Sequence, residues 1–162
     1  KKKNNKFDIP LYLASSSARC IVDIYFYLKH IAQQGDILII DEPESHLTLK
    51  NQRLMAKLIV SLINTNIKVF ITTHSDFLLK ELNNLILLSN SFPEKEVWLK
   101  SNKNYYTNKD FLKPECVSVF NCVNGGLEKM KVSNKGMIIP FIDSQLESIY
   151  NVFSELDYLV EE

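Results

Sequence analysis

"GDILIIDEPESHL", from Gly35 to Leu47, sets an uninterrupted apolar run, Ile37 to Ile40, between Asp36 and the acidic residues Asp41, Glu42 and Glu44. Four consecutive isoleucine or leucine side chains with no polar alternation suit a strand covered on both faces, as in a parallel sheet. Adjacent carboxylates at the end of such a strand stand where open parallel α/β sheets bind their ligands, beyond the carboxyl ends of the strands.

The flanking segments supply the rest of that fold. Upstream, "SSSARCIVDIYFYLKHIAQQG" opens on hydroxyl residues able to cap a helix, carries Ile21, Ile24, Tyr25, Leu28 and Ile31 at helical spacing, and stops near Gly35. Downstream, Leu49 to Asn64 places Leu54, Leu58, Ile59 and Leu62 on one face, with Asn51, Arg53 and Lys57 elsewhere, which predicts a crossover helix. "IKVFITTHSD" (Ile67–Asp76) is read as a second buried strand, Ser75 or Asp76 as the cap of a short helix through Leu82, and "NLILLS" (Asn84–Ser89) as a third strand. Strand and helix alternating in this way predict a parallel α/β sheet with right-handed crossovers.

Beyond it, Ser91 to Asn108 is polar and predicts a loop or edge segment around "EVWLK". "CVSVFNCVNGGLEKMKVS" has two strand-like runs about Asn124-Gly125-Gly126, a turn suited to positive φ, and so predicts a hairpin. The last segment sets Leu146, Ile149, Tyr150, Phe153, Leu156 and Val160 on the stripe of a closing amphipathic helix.

With 162 residues, 46% of them hydrophobic, the chain is long enough to bury a core as one domain. Its 19 basic and 19 acidic residues cancel, so no global charge draws it to nucleic acid or membrane. Lys1, Lys2, Lys3 and Lys6 load the start, while every charge after Lys135 is acidic; a solvated start and an exposed helix face account for both. Cys20, Cys116 and Cys122 form neither an even framework nor a CxxC pair, and no membrane-length apolar run occurs, which predicts a reduced, cytoplasmic protein without membrane contact.

At the rim of the expected sheet, Asp41 and Glu42 would meet Thr72, Thr73 and His74 from the next strand. An aspartate there suits Mg²⁺, a hard cation that prefers oxygen and keeps much of its water. A glutamate beside it can accept a proton from an attacking water, and a histidine can hold or sense a transferring phosphoryl group. Taken singly, Asp41 serves equally as a turn cap and His74 as a structural histidine; their joint spacing is what points to a site.

These residues carry a resemblance. "ILIIDEP" (Ile37–Pro43) resembles the Walker B segment of ABC-type ATPases, which implies Asp41 as the magnesium aspartate and Glu42 as the catalytic glutamate. "ITTHSD" (Ile71–Asp76) resembles their switch-histidine segment, with His74 in that role. "ESHL" (Glu44–Leu47) falls at the D-loop that crosses the dimer interface, so Glu44, Ser45 and His46 are implied to face nucleotide. "LASSSARC" (Leu13–Cys20) stands where the family has its signature motif, with Ser15, Ser16 and Ser17 implied to meet ATP held by the opposite subunit and Arg19 in second rank. Its serine-rich form departs from the LSGGQ of transporters and is closer to the SMC, RecF and overcoming-lysogenization-defect group, AAA-like proteins of phage defence and DNA repair.

The resemblance covers residues 9–89, the motif-bearing core, with 90–162 as a C-terminal extension of a single partial domain. What it implies is a P-loop NTPase-like parallel sheet with flanking helices, the cofactors ATP and Mg²⁺, and a homodimer closed through an ATP sandwich. A DNA or defence effector would act through the parent protein. One departure is decisive for activity: no GxxxxGK[ST] loop occurs, and glycines at 35, 125, 126 and 136 cannot assemble one. The chain therefore resembles the second half of such a domain, either taken from a longer polypeptide or lending its signature helix to a Walker A-bearing half in trans. The absence of an initiator Met favours the former.

Three functions stay open on the residues. The first is ATP hydrolysis in the complete parent, in defence or repair or, as the lesser option, transport. The second is a non-catalytic interaction module, against which the retention of both Asp41 and Glu42 speaks. The third is a metallohydrolase built from Asp41, Glu44, His46, His74 and Asp76, for which no HExxH-like pair is present. Tyr25, Phe26 and Tyr27 suggest a base-stacking platform, although two of the three are expected to pack on the sheet, and Arg19 has Asp23 four residues on as an alternative to phosphate.

Overall fold

The computed structural model describes residues 10–161, apart from the side chains of 141–143 and 161. The lysines at positions 1, 2, 3 and 6, the acidic side chains of Asp143 and Glu161, and Glu162 lie outside the described residues. The chain forms two compact units, Lys1–Glu81 and Leu82–Glu162.

In the first unit a 3₁₀ turn (Leu11–Leu13) leads into α1 (Ser16–His30), followed by β1 (Ile37–Asp41), α2 (Leu49–Asn64), β2 (Lys68–Thr72) and the start of α3 (Asp76–Leu87). Each helix begins on a hydroxyl cap: Ser15 accepts from the amide of Ala18 at 3.2 Å, Thr48 from Asn51 at 3.4 Å, and Ser75 from Leu78 at 3.1 Å. The turn into β1 is held by Asp36, whose Oδ2 accepts from the Gln33 amide at 2.8 Å and the Tyr27 hydroxyl at 3.0 Å. Gly35 at φ 93° supplies a conformation that a side chain would strain.

β1 and β2 pair in parallel, in register from Ile37↔Lys68 to Asp41↔Thr72. Val69 and Ile71 pack with Ile24 of α1 and Leu58 and Ile63 of α2 against a buried cluster of Leu47, Met55 and Ile59. The buried face of α2 comprises Met55, Ala56, Ile59, Val60 and Leu62. Leu54, placed on that face by the sequence, is 56% exposed, because the covered stripe is centred on Met55 and Ile59.

Two further expectations are corrected. β1 is not covered on both faces: Ile37 and Ile39 are 66% and 71% exposed, and Phe70 of β2 is exposed beside them, while Leu38 and Ile40 are half-buried. Among the described residues the helices of this unit cover one face of the pair, so burial alternates where the sequence does not. Nor is "NLILLS" a strand. Asn84 to Leu87 continues α3, in which buried Leu78, Leu82, Leu85 and Ile86 recur at helical spacing and no Gly or Pro interrupts the run. The parallel sheet of the described residues has two strands, and the architecture is mixed α/β with small sheets.

Past the first turn of α1 the half-buried residues are Val22, Ile24, Tyr27 and Leu28. Of the three consecutive aromatics only Tyr27 packs inward, whereas two were expected to; Tyr25 and Phe26 are each about half exposed and meet edge to face at 5.5 Å between ring centroids.

The second unit holds the rest of α3, then α4 (Lys95–Ser101), a 3₁₀ turn (Pro114–Cys116), the antiparallel pairs β3 (Val119–Val123) with β4 (Gly126–Met130) and β5 (Val132–Ser133) with β6 (Gly136–Met137), and α5 (Pro140–Glu161). The hairpin forms where expected, with Asn124 and Gly125 at φ 49° and 78°. "EVWLK" is helical rather than a loop or edge. Trp98 stacks on Tyr106 at 5.7 Å and meets Phe92 edge to face at 6.3 Å, and this aromatic packing anchors the short helix. α5 is the expected helix, but its stripe does not close the unit: Ile149, Tyr150, Phe153, Leu156 and Val160 are all more than half exposed.

Two consequences of the first unit are measurable. Glu81 is 2% exposed and stands 3.4 Å from the Arg53 guanidinium, which also lies over the Phe77 ring at 5.9 Å. Glu81→Ala removes a buried carboxylate from beside a half-buried cation and is expected to cost about 2 kcal/mol, between the values for enclosed and surface pairs, in urea denaturation. Burial and the hydrogen bond to Asp36 push the Tyr27 phenol above its ordinary value of 10.0. A raised pKa means that the fold holds the phenolic proton more tightly than the unfolded chain does. That contribution is complete below pH 10.0 and is lost as pH rises through the raised value. The stability advantage over Tyr27→Phe is therefore expected to shrink in alkaline denaturation series.

Candidate functional site

The register of the two strands brings Asp41 and Thr72 level at their carboxyl ends. The Thr72 hydroxyl donates a short hydrogen bond to Asp41 Oδ1 and accepts from the Glu42 amide at 3.2 Å, and the same amide donates to the Thr72 carbonyl at 3.1 Å. One side chain thus ties the two strand ends and fixes the first residue beyond β1.

Glu42 then turns the chain with φ 44°, a conformation uncommon for any side chain other than glycine and found where the surroundings over-determine it. Its Oε2 accepts from the Ser45 hydroxyl at 2.9 Å, and its Oε1 lies 3.5 Å from His74 Nε2. The His74 side chain is 88% exposed and that of Glu42 46%, so both can meet a ligand arriving from solvent.

Behind this pair, Glu44 Oε1 accepts from the Thr73 hydroxyl at 2.6 Å and from the amides of His74 and Ser75 at 3.0 and 3.1 Å. Ser75 in turn donates to Gln52 Oε1 at 2.7 Å, and Gln52 Nε2 donates to the Leu47 carbonyl at 3.2 Å. Ser75 is the α3 cap, while Asp76 pairs with Lys80 one turn on at 3.0 Å.

The serine-rich start of α1 reaches this loop at one point, where the Ser17 hydroxyl donates a short hydrogen bond to the carbonyl of His46, a residue at φ 62°. Ser15 is spent as the cap, and Ser16 accepts from Arg19 at 3.2 Å. Arg19 also donates to the Tyr12 carbonyl at 3.5 Å and does not pair with Asp23.

Asp41, Glu42, Ser45 and His74 are therefore gathered at one rim with Thr72, and Ser17 and His46 are linked beside it. Glu44 is turned toward the backbone of 73–75 rather than outward. Gln52 gave no signal in the sequence, because it sits in the first turn of α2, 23 positions before its partner Ser75.

The carboxylate oxygens at the rim fit a hard divalent cation: Asp41 is exposed and commits Oδ1 alone to a protein hydrogen bond. Among the described residues no three His, Cys, Asp or Glu side chains form a ready metal cluster, so such an ion would keep most of its ligands from water or substrate. A cavity of about 220 Å³ lined by Asn84, Leu87, Leu88, Phe92, Trp98 and Tyr106 belongs to the second unit and contains none of these groups.

Comparison with known proteins places the match where the rim lies. Residues 1–79 match the sequence model of the AAA ATPase domain family, a span that takes in α1, both parallel strands and the loops after them. The match supports an AAA-type ATPase domain over that segment, and with it the use of nucleotide. No curated protein and no solved structure matches the chain. No helix among the described residues is long and apolar enough to cross a membrane.

The bridge at Thr72 can be tested by itself. Thr72→Val keeps the shape but removes the hydroxyl from both Asp41 and the Glu42 amide, and is expected to lower stability by about 1–2 kcal/mol in urea denaturation. Thr72→Ser is expected to recover most of it.

Proposed function

We propose that the chain is the second, hydrolytic half of an ABC-type ATPase domain of the SMC, RecF and overcoming-lysogenization-defect kind, acting in DNA repair or phage defence. The observation that carries this reading is the Asp41-Glu42 pair at the end of β1, tied by Thr72 to the strand that delivers His74. The family match over residues 1–79 supports its ATPase part.

In this reading Glu42 takes the proton of a water that attacks the γ-phosphorus of ATP, as the bond to the β-phosphate oxygen breaks and ADP leaves. Ser45 and His74 hold the two Glu42 oxygens in place for that transfer. Asp41 would hold Mg²⁺, which supplies charge neutralisation to the phosphates when bound. The phosphate-cradling loop and its lysine come from a Walker A-bearing half, since the sequence contains no such loop. Two copies of the assembled domain would close on two nucleotides, with Ser16 and Ser17 at the start of α1 meeting the one held by the partner.

The deciding experiment is Glu42→Gln in the polypeptide that carries both halves. Turnover is expected to fall at least about 100-fold, the usual worth of a positioned base, while ATP binding persists and nucleotide-bound dimers accumulate in size-exclusion chromatography. Unchanged turnover would remove Glu42 from the chemistry and the reading with it.

A further inference from the structure

We propose that Glu44 is a positioning residue for His74 and not a nucleotide contact; this deepens, and rests on, the ATPase reading above. Its place in the loop after the Walker B-like segment suggests a side chain presented across an interface. The geometry points the other way. Oε1 accepts three hydrogen bonds, from the Thr73 hydroxyl at 2.6 Å, the His74 amide at 3.0 Å and the Ser75 amide at 3.1 Å. Oε2 is enclosed by the protein. Both oxygens are thus withdrawn from a ligand at the rim.

A carboxylate that accepts from two successive backbone amides forms a charge-assisted clamp on those peptide units. The clamp falls on a residue whose side chain has little else to hold it: the His74 ring is 88% exposed and its contact among the described residues is Glu42 Oε1 at 3.5 Å. Its position is therefore set through its backbone. The backbone is pinned from the other side as well, because Ser75 donates to Gln52 and caps α3. Glu44 and Glu42 leave the same strand end two residues apart, so the groups that flank His74 in space are covalently coupled. Displacing Glu44 shifts the histidine against the base it meets.

Amide hydrogen exchange in the intact protein tests the clamp without reference to turnover. Glu44→Ala is expected to speed exchange at His74 and Ser75 at least about tenfold with α2 unchanged, and Glu44→Gln, which keeps an acceptor oxygen, to stay within about threefold of the parent. Unchanged exchange at both amides, or an equal acceleration throughout α2, would overturn it.

The route through His74 is tested by kinetics in the polypeptide carrying both halves. Glu44→Ala should lower kcat about 10- to 100-fold with KM for ATP within about twofold, and have no further effect on kcat in a His74→Ala background. Additive losses, or a loss confined to KM, would make Glu44 a nucleotide contact or a general structural prop and defeat the proposal. Failure of the ATPase reading shows separately, as turnover that Glu42→Gln leaves intact, with the exchange result still standing.

Discussion

The parallel register between β1 and β2 is the constraint on which the rim depends. Side chains alternate along a strand, so a slip of one residue in either strand would carry Thr72 to the face opposite Asp41. The hydroxyl bridge would open, and the Glu42 amide would lose both of its acceptors at once. Register here is specified from the covered face: Val69 and Ile71 are held against Leu47, Met55 and Ile59, and moving them outward would exchange apolar cover for water. The packing of one face therefore determines the chemistry at the end of the strands.

Beyond the register, the loop after β1 is stiffened by conformations that few residues tolerate. Glu42 sits at φ 44° immediately before Pro43, whose ring already restricts its predecessor, and His46, four residues after Glu42, sits at φ 62°. Such backbone is stable only when hydrogen bonds on all sides favour it, and the loop has them: Thr72 and Ser45 hold Glu42, Glu44 grips the segment after β2, and Ser17 binds the His46 carbonyl. A glycine at Glu42 would relax the turn and abolish the carboxylate. The strained position is that of the carboxylate facing His74, because the sharp turn aims it there.

How much of this was legible in the sequence differs by the range of the interaction. Local signals held well: Ser15 caps α1, the bounds of α2 fall at Leu49 and Asn64, and Asn124-Gly125 makes the hairpin turn. The short apolar run "NLILLS" misled because four residues cannot distinguish a strand from the last turn of a helix, and α3 was already under way at Asp76. "DILIID" was correct as a strand and wrong as a fully covered one, since periodicity reports what a segment can bury rather than what lies over it. At the site, the convergence of Asp41, Glu42 and His74 follows from adjacent strand ends. The inward turn of Glu44 and the part of Gln52 depend on side-chain paths that no spacing rule encodes.

The charge at the rim also bears on what a triphosphate would need in order to bind there. Asp41 and Glu42 bring two carboxyl groups to the end of β1, with Glu44 behind them, and among the described residues His74 is the basic side chain that meets Glu42 there. Groups of this kind order water and a divalent cation well. They repel a polyphosphate, and near a protein surface two like charges about 4 Å apart oppose each other by several kcal/mol before salt screening. Binding of a triphosphate at this rim therefore requires cationic and amide donors from other chain segments. On the reading proposed above, a P-loop lysine and its backbone nest would meet that requirement and complement the acidic rim in charge.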